Sequence, residues 1–425
     1  MNADIFQALL DWNPWIRGEF PDELMGFQRD YHLLDYLKVP EIKIIEGARR
    51  VGKSTLLYQV IHHVLKTNKH VLYINFEDEI LKQYSLAEVV YAYLEYGKID
   101  FLFVDEIQNC KDWVSFIRKI YDRREISQLW VSGSNSSLIK QEYATLLTGR
   151  NLPIHIYPLS FHEFLSFKSN PCQSLPVSKK QATELRKLFV EYMNYGAFPA
   201  VVNRNVLKKE LLLAYFDDFI YKDIAARYNV NAVKVKELAI YLATNSSKQF
   251  SYRNIATLLN CHVNTISDYF SYIKQAFLFE ELYKFDYSLQ KQFVTDKKIY
   301  CLDTGLAAAV SFRFSEDKGR ILENIVYCEL RRQRQDIYFH KNITECDFII
   351  KKELKIINAI QVCISLDEHS TKQREINGLI GALQTYGLKF GLILTQDEEG
   401  EEQITVNDVT YTIHIKPVWA WLLEK

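Results

Sequence analysis

Short apolar runs alternate with amphipathic stretches through residues 41–160 of this chain. Runs rich in β-branched and aromatic residues predict buried strands, whereas apolar residues spaced three or four positions apart predict helices. Strands and helices in alternation are typical of a parallel sheet covered by helices on both faces. The predicted strands are 41–46, 70–76, 99–105, 128–134 and 152–157, and the predicted helices are 54–66, 86–96, 112–123 and 136–142.

The pattern changes after residue 167. The stretch 168–178 is polar and punctuated by proline, which is typical of a linker, and 180–245 carries apolar residues at helical spacing. Residues 251–300 predict a short helix, a turn, a longer helix and two strands, the order of a winged helix-turn-helix. The tail at 320–425 predicts a small α/β domain. We therefore expect four domains: 1–167, 168–245, 246–310 and 311–425.

Composition narrows the class of protein. The 425 residues carry a formal net charge of −1, which argues against a protein that binds nucleic acid over its whole surface. No apolar run approaches membrane-spanning length and the N-terminus lacks a signal-peptide pattern, so we expect a cytoplasmic protein that does not bind membranes. The cysteines are scattered along the sequence without a C-x-x-C pair, a pattern that favours reduced thiols over disulfides or a zinc site. They are Cys110, Cys172, Cys261, Cys301, Cys328, Cys346 and Cys363.

A glycine-rich loop lies between the first predicted strand and the following helix. It matches the pattern G-x-x-x-x-G-K-[ST], in which backbone N–H groups and the helix N-terminus bind phosphate. Lys53 is expected to reach the β- and γ-phosphates and Ser54 to hold Mg²⁺. Arg49 and Arg50 either contact phosphate or point to solvent. The residues predicted to bind a nucleoside triphosphate are Gly47, Ala48, Arg49, Arg50, Val51, Gly52, Lys53, Ser54 and Thr55.

Two acidic residues end the apolar strand that begins at Phe101. A carboxylate in this position holds Mg²⁺ through its water shell, and a following glutamate polarises the attacking water. We therefore predict that Asp105 is the magnesium residue and Glu106 the catalytic base. Acidic pairs at strand ends are also common on surfaces, but here the pair follows a phosphate loop.

Polar residues also end the predicted strand 128–134. If this strand lies between the loop strand and the acidic strand, Ser134 or Asn135 would sense the γ-phosphate; capping of the next helix is the alternative. Arg150 precedes the last predicted strand. It either stabilises transition-state charge on a neighbouring subunit's nucleotide, which predicts a homo-oligomer, or is an exposed arginine without such a role.

These motifs resemble those of the AAA-type ATPases of archaea and bacteria that carry a C-terminal domain of unknown function. The resemblance rests on GARRVGKSTLL, FLFVDEIQN, VSGSN, LLTGR, YPLSFHEF, YGAFP, YKDI, KKIYCLDTGL and GRILENIVYCEL, and thus covers nearly the whole chain. It implies ATP hydrolysis with Mg²⁺ on a P-loop core of the ASCE type, in which one strand separates the acidic strand from the loop strand. It also implies a helical lid, a winged helix and a restriction-endonuclease-like domain. Ala48 departs from the family, which often has proline there.

The C-terminal domain resembles the PD-(D/E)xK nucleases in part. Glu323, Asp347 and Gln361 stand where that group binds metal, but Cys363 replaces its lysine. Lys355, in a neighbouring segment, is the candidate to take the place of the missing lysine. We therefore expect a degenerate nuclease fold that is used for binding rather than an active nuclease.

The predicted winged helix gives an ambiguous signal. Its second helix would present few cations, so core packing or protein contact competes with DNA reading. The cluster at Arg331, Arg332 and Arg334 is a further candidate for phosphate contact, although such runs are usually solvated. The residues that the second helix would present are Asn264, Thr265, Asp268, Tyr272 and Lys274.

Three hypotheses follow for an ATPase with this organisation. It acts on DNA through its C-terminal half, it is a nucleotide-dependent switch or scaffold that binds a protein partner, or it is an oligomeric machine in which Arg150 acts across subunits. Salt-dependent DNA binding separates the first hypothesis from the second.

Overall fold

A computed structural model describes residues 3–135, 147–171, 177–295, 297–311 and 317–424. The chain divides into two compact units. The first comprises Met1–Tyr157 with Gln275–Phe277, and the second comprises Pro158–Lys274 with Leu278–Lys425. The first unit thus ends before residue 167, where the sequence placed the end of the first domain. The further division of the second unit at 245 and 310 stays a prediction.

The first unit is built on a five-stranded parallel sheet. Its strands are β1 (Ile42–Glu46), β2 (Val71–Asn75), β3 (Phe101–Asp105), β4 (Gln128–Gly133) and β5 (Asn151–His155). Nearly every residue of β1 to β4 is buried, as expected for apolar strands covered on both faces. The order β2-β3-β4-β1-β5 places β4 between the loop strand and the acidic strand, which confirms the predicted P-loop arrangement.

The helices of the first unit are α1 (Ala3–Trp12), α2 (Lys53–Leu65), α3 (Leu86–Leu94) and α4 (Trp113–Arg123). All five predicted strands and the first three predicted helices are present, with ends shifted by a few residues. The predicted helix 136–142 lies outside the described residues. One apolar cluster joins α1, α3 and α4 to the sheet through residues such as Leu9, Val90 and Ile117.

The second unit begins with helices, as the spacing of apolar residues in 180–245 predicted. A Ser–Glu capping box starts α5, and Ser178 with Gln181 starts α6 in the same way. The helices are α5 (Phe161–Phe167), α6 (Lys179–Tyr195), α7 (Pro199–Val202), α8 (Lys208–Asp218), a π-helical stretch at Phe219–Ala225, α9 (Ala226–Tyr228) and α10 (Ala232–Thr244).

Two helices joined by a short turn follow, packed with a small antiparallel sheet. Asn260 has a φ of +49° in that turn, and asparagine tolerates the left-handed region better than most residues. The sheet order is β6-β8-β7. The elements are β6 (Gln249–Phe250), α11 (Tyr252–Leu258), α12 (Val263–Gln275), β7 (Phe279–Leu282), α13 (Leu289–Val294), β8 (Lys297–Cys301) and α14 (Thr304–Val310).

The chain ends in a mixed six-stranded sheet of order β13-β14-β12-β11-β10-β9. α16 packs on its central strands through Leu379 and Leu383, which are fully buried. Within the described ranges, no helix combines the length and apolar character needed to cross a bilayer. The elements are α15 (Lys318–Arg332), β9 (Asp336–Lys341), β10 (Glu345–Lys352), β11 (Lys355–Val362), α16 (His369–Tyr386), β12 (Phe390–Thr395), β13 (Gly400–Val406), β14 (Val409–Pro417) and α17 (Val418–Trp421).

Candidate functional site

The glycine-rich loop connects the end of β1 to the start of α2, as the sequence predicted. Its glycines are required by their surroundings. A Cβ on Gly47 would lie 2.3 Å from the carbonyl oxygen of Ile156, and Gly52 has a φ of +96° just before α2 begins. The loop therefore passes close to the backbone of Ile156 and leads directly into the N-terminus of a thirteen-residue helix.

Lys53 is the cation at the centre of this loop. Its side chain is 3% exposed, and Nζ donates to the carbonyl oxygens of Gly47 at 3.2 Å and Ala48 at 3.0 Å. Nζ also lies 3.8 Å from Oε1 of Glu106. The loop amides, the ammonium group and the acidic strand therefore meet at one edge of the sheet.

The other loop residues take different environments. Ala48 and Val51 are buried, whereas Ser54 and Thr55 are half-buried in the first turn of α2. Arg49 forms an ion pair with Glu77 at 3.0 Å. Arg50 is exposed, which agrees with the alternative that its side chain points to solvent.

Asp105 is held by groups from both neighbouring strands. Tyr73 of β2 donates its hydroxyl to Oδ2 at 2.7 Å, and Ser132 of β4 donates to Oδ1. The backbone N–H of Glu106 also donates to Oδ1, at 3.1 Å. Burial and the Asp105 charge raise the pKa of Tyr73 well above its usual value, so this hydroxyl keeps its proton. The carboxylate is thus fixed in place beside the loop.

Glu106 turns its side chain toward Lys53. Its φ of +50° is a left-handed conformation that glutamate rarely adopts. Ser134 donates to Oε2 at 3.1 Å, and Gln108 donates to the same oxygen and to the Ser134 hydroxyl. Burial alone would raise the pKa of Glu106, but Lys53, Gln108, Arg49 and Ser134 together lower it. The carboxylate is therefore ionised at neutral pH, as a base must be.

The polar end of β4 lies between the loop and the acidic strand. Gly133 is opposite Glu46 in the β1–β4 pair, and Ser134 and Asn135, both buried, follow it directly. Ser134 contacts the predicted base, which is consistent with the predicted sensing position. The capping alternative concerns the predicted helix 136–142, which lies outside the described residues.

Arg150 lies at the other end of the strands, where β1 and β5 begin. Its backbone oxygen accepts from the N–H of Ile42, the first residue of β1, so about five residues of strand, roughly 16 Å, separate it from the loop. Its side chain donates to Asp122 at 2.8 Å and to the carbonyl oxygen of Thr148 at 3.4 Å. The site residues that meet at the loop thus exclude Arg150.

Arg29 is a residue of this site to which the sequence assigned no individual role; it begins the stretch 29–37, which the sequence predicts to lead into the first strand and to pack near the nucleotide. Its buried guanidinium donates to the carbonyl oxygens of Val51, at 2.8 Å, and Tyr157, at 3.0 Å. Tyr73, Ser132 and Gln108 were missed as well. Ser132 had a signal in its position at a strand end and Gln108 in its position two residues after Glu106, whereas the contacts of Arg29 and Tyr73 join segments far apart in the chain.

The geometry fits a magnesium-bound triphosphate. The loop has no Cβ at Gly47 or Gly52, and its ammonium group contacts the loop carbonyls and the carboxylate of Glu106, the residue after Asp105. Hard cations prefer such oxygen donors. Elsewhere the fit is poorer: in the described part of the chain, no group of three or more His, Cys, Asp and Glu side chains is arranged to hold a metal.

The structure brings together Glu323 of α15, Asp347 of β10 and Gln361 of β11 beside the six-stranded sheet. The proposed substitute Lys355 is wrong as their partner, because it is exposed and starts β11, whereas Gln361 lies near the end of that strand. Lys298 of β8 contacts both carboxylates instead, at 2.9 Å and 2.8 Å. Cys363 is buried, and burial raises the pKa of its thiol to about 12.

The predicted recognition residues of α12 divide between two environments. Asn264 and Asp268 are exposed, and Thr265 is half-buried. Tyr272 stacks on Tyr228 with ring centroids 4.0 Å apart, and Lys274 pairs with Glu281 at 3.5 Å. Packing thus explains the aromatic part of this helix.

The arginine cluster at the end of α15 also contacts its own unit. Arg331 pairs with Glu280 at 3.1 Å. Arg332 pairs with Glu329 and donates to the carbonyl oxygen of Pro158. Arg334 has a φ of +57° just after the helix.

Comparison with protein families identifies two regions of the chain. A family model described as "AAA domain" matches residues 39–165, which contain the loop, the acidic strand and the polar end of β4. A second, described as a domain of unknown function (DUF8612), matches residues 186–317.

Two curated proteins are similar along most of their length. The chain is 36% identical over 405 residues to the uncharacterized protein MJ1544 of Methanocaldococcus jannaschii, which covers 90% of this chain and 88% of that protein. It is 30% identical over 412 residues to an uncharacterized protein of Haemophilus influenzae, covering 92% of this chain and 96% of that protein.

Similar solved structures include a variant of Thermotoga maritima RuvB, at 13% identity and a TM-score of 0.29 over 66% of this chain and 89% of that chain. AMPPCP-bound DnaA from Aquifex aeolicus is 14% identical, with a TM-score of 0.26 over 57% of this chain and 85% of that chain. These TM-scores are too low to establish a common fold.

Proposed function

This chain belongs to the family of MJ1544 and the Haemophilus influenzae protein and carries an AAA domain, and we propose that it binds ATP with Mg²⁺ and hydrolyses the ATP to ADP and phosphate. The observation that carries the proposal is the placement of Glu106. Its ionised carboxylate lies 3.8 Å from the loop lysine and is oriented by Ser134 and Gln108.

Each residue has a distinct role in this proposal. The loop amides and Lys53 bind the phosphates, and Ser54 and Asp105 hold the magnesium ion. When bound, the ion neutralises phosphate charge. Glu106 orients the attacking water and accepts its proton, and Ser134 and Asn135 respond to the γ-phosphate. Tyr73 and Ser132 keep Asp105 in position by hydrogen bonds.

Glu106→Gln tests this assignment. The amide keeps the shape of the side chain but cannot accept the proton, so ATP affinity should persist while turnover falls at least ~100-fold. Glu79→Gln, at an exposed position in the same unit, serves as the matched control and should leave both quantities unchanged. Unchanged turnover in Glu106→Gln with bound ATP would refute the role of Glu106.

The position of Arg150 favours a second element of the function. An arginine roughly 16 Å of strand away from the loop cannot reach a nucleotide on its own chain from that end of the strands. We propose that Arg150 acts on the nucleotide of a neighbouring copy in a homo-oligomer, where a cation at the γ-phosphate would stabilise the transition state.

We propose that the second unit contains a lid (168–245), a winged helix (246–310) and a nuclease-like domain (311–425) and that it binds a protein partner. The cations Lys274, Arg331 and Arg332 each pair with a glutamate of the same unit, which reduces the charge that they offer to phosphates. Fluorescence anisotropy with a labelled DNA duplex tests this. If the unit binds protein and not DNA, the anisotropy of the duplex should not change when the protein is added. A DNA affinity that falls steeply between about 50 and about 200 mM salt would establish DNA contact instead.

A further inference from the structure

A buried ammonium group lies among three carboxylates in the second unit. Nζ of Lys298 is 2.8 Å from Oδ1 of Asp347, 2.9 Å from Oε1 of Glu323 and 3.0 Å from Oε1 of Glu345. The lysine side chain is 4% exposed. The three oxygens come from two elements of the C-terminal sheet domain, α15 and β10, while the lysine comes from β8 of the three-stranded sheet.

We propose that Lys298 is a tethered cation that takes the position a divalent metal would occupy, so that this carboxylate cluster excludes metal. The inference rests on the nuclease-like domain proposed above, a fold in which magnesium is expected at Glu323 and Asp347. Here three carboxylate oxygens lie between 2.8 and 3.0 Å from one point, and that point is occupied by the ammonium nitrogen of Lys298. The disagreement between fold and donor set is the basis of the inference.

Other donors also contact the three carboxylates. Oδ2 of Asp347 accepts from the N–H of Val362 at 3.0 Å, and Oε1 of Glu323 accepts from the Tyr300 hydroxyl at 2.6 Å. Oε2 of Glu345 accepts from Gln249 at 3.0 Å and pairs with Lys341 at 3.2 Å. These donors hold the carboxylate oxygens in place around the ammonium group.

Gln361, the third predicted ligand, uses its side-chain amide for hydrogen bonds within the protein. Its Oε1 accepts from the backbone N–H of Asp347 at 3.2 Å, and its Nε2 donates to Glu375. An amide in this place holds two neighbouring elements together and adds no negative charge. A metal-dependent hydrolytic site needs that charge, so the substitution favours exclusion of metal as well.

Access does not explain the exclusion. Glu323, Glu345 and Asp347 line a cavity of about 710 Å³. Arg320 and Arg374 line the same cavity. A hydrated ion can therefore approach the carboxylates, and it is the ammonium group that keeps it out. Lys298 also joins β8 to α15 and β10 through its ion pairs with Glu323 and Asp347, whose side chains are each 10% exposed, so it links the two sheets of the unit.

Lys298→Met is the direct test. The variant removes the ammonium group and keeps a flexible chain of similar length, which leaves three converging carboxylates without a cation. Tb³⁺ is the probe, because Tyr300 contacts Glu323 and would sensitise its luminescence when excited at tyrosine wavelengths. We expect no saturable signal above background in the wild-type protein without nucleotide, and a saturable signal from one added site in Lys298→Met.

Two matched variants assign the signal to the cluster. Lys298→Arg keeps the positive charge and should resemble the wild-type protein, and Lys298→Met with Asp347→Asn and Glu323→Gln should lose the added site. Thermal unfolding in Ca²⁺ provides a second readout, since Ca²⁺ should raise the melting temperature of Lys298→Met and leave that of the triple variant unchanged.

Either of two results would overturn the proposal. One is a saturable Tb³⁺ signal in the wild-type protein that disappears in Asp347→Asn, since metal would then bind in the presence of Lys298. This measurement stands even if Lys298→Met fails to fold. The other is a folded Lys298→Met protein that takes up neither Tb³⁺ nor Ca²⁺.

Discussion

The guanidinium of Arg29 donates to the carbonyl oxygen of Val51 at 2.8 Å and thereby ties the N-terminal segment to the phosphate loop. The same group donates to Tyr157, which follows β5. One buried cation thus holds the loop against the edge of the sheet from which the loop emerges. Carbonyls that point at Arg29 cannot point at a phosphate, so this contact favours the loop conformation with its amides turned inward.

We expect Arg29→Met to weaken ATP binding at least about tenfold. Hydrogen bonds to a charged group contribute about 1.5–3 kcal/mol each, and Arg29 donates one of its two to the loop carbonyl of Val51. Isothermal titration with ATP and Mg²⁺ measures the effect. Arg17→Met, an exposed arginine of the same unit, is the control and should bind like the wild-type protein. Equal affinities for the two variants would show that the loop does not depend on Arg29.

Gly47→Ala should abolish ATP binding while the protein remains folded. The added Cβ would lie 2.3 Å from the carbonyl oxygen of Ile156, and backbone at that distance must move. The movement shifts the amides of the loop out of register with a phosphate chain. Gly400→Ala, where a Cβ meets nothing within 4 Å, should behave like the wild-type protein. The check is nucleotide binding alongside far-UV circular dichroism.

Mixing two inactive variants tests whether Arg150 acts across subunits. Arg150→Ala should turn over ATP at least ~100-fold more slowly, and Glu106→Gln should do the same. Mixed oligomers contain sites with Glu106 from one chain and Arg150 from its neighbour, so activity should reappear on mixing. A mixture as inactive as its components would contradict action across subunits, as would normal turnover in Arg150→Ala. Asp122→Ala, which removes the bonding partner of Arg150, is expected to keep activity.

Asp303 predicts a pH dependence of stability. It accepts from the backbone N–H groups of Ala197 at 2.6 Å and Leu306 at 2.9 Å, and burial raises its pKa from 3.8 to about 6. The folded protein therefore binds more protons than the unfolded chain between these values, so the stabilising contribution of this group is full below pH 4 and lost as the pH rises toward about 6. The loss is at most about 3 kcal/mol.

Urea unfolding from pH 4 to 7 measures this contribution as the difference in unfolding free energy between the wild-type protein and Asp303→Asn. Asp303→Asn keeps the size of the side chain but cannot titrate, so the pH dependence of its unfolding free energy should lack the fall present in the wild-type protein. Glu424→Gln, an exposed carboxyl group of the same unit, should leave the wild-type slope intact. Parallel curves for the wild-type protein and Asp303→Asn would contradict the assignment.

Local patterns predicted the loop and the strand ends that meet beside it. The loop motif, the apolar strand that ends in Asp105 and Glu106, and the polar end of the next strand each lie within a few residues, and chain order alone brings them to one edge of a parallel sheet. The order β2-β3-β4-β1-β5 agrees with what the family resemblance implied, namely that one strand separates the loop strand from the acidic strand.

Tertiary structure decided the contacts that join distant segments. Arg29 contacts Val51 and Tyr157. Lys298 contacts Glu323 and Asp347. These partners lie so far apart in the chain that the spacing of apolar residues does not predict the contacts. The sequence by itself determined which residues form strands, helices and the phosphate loop, because these depend on spacing and on backbone preference. Only the fold determined which buried charges are neutralised and by which partner, because burial makes an unpaired charge costly and the partner is whichever cation the packing brings within about 3 Å.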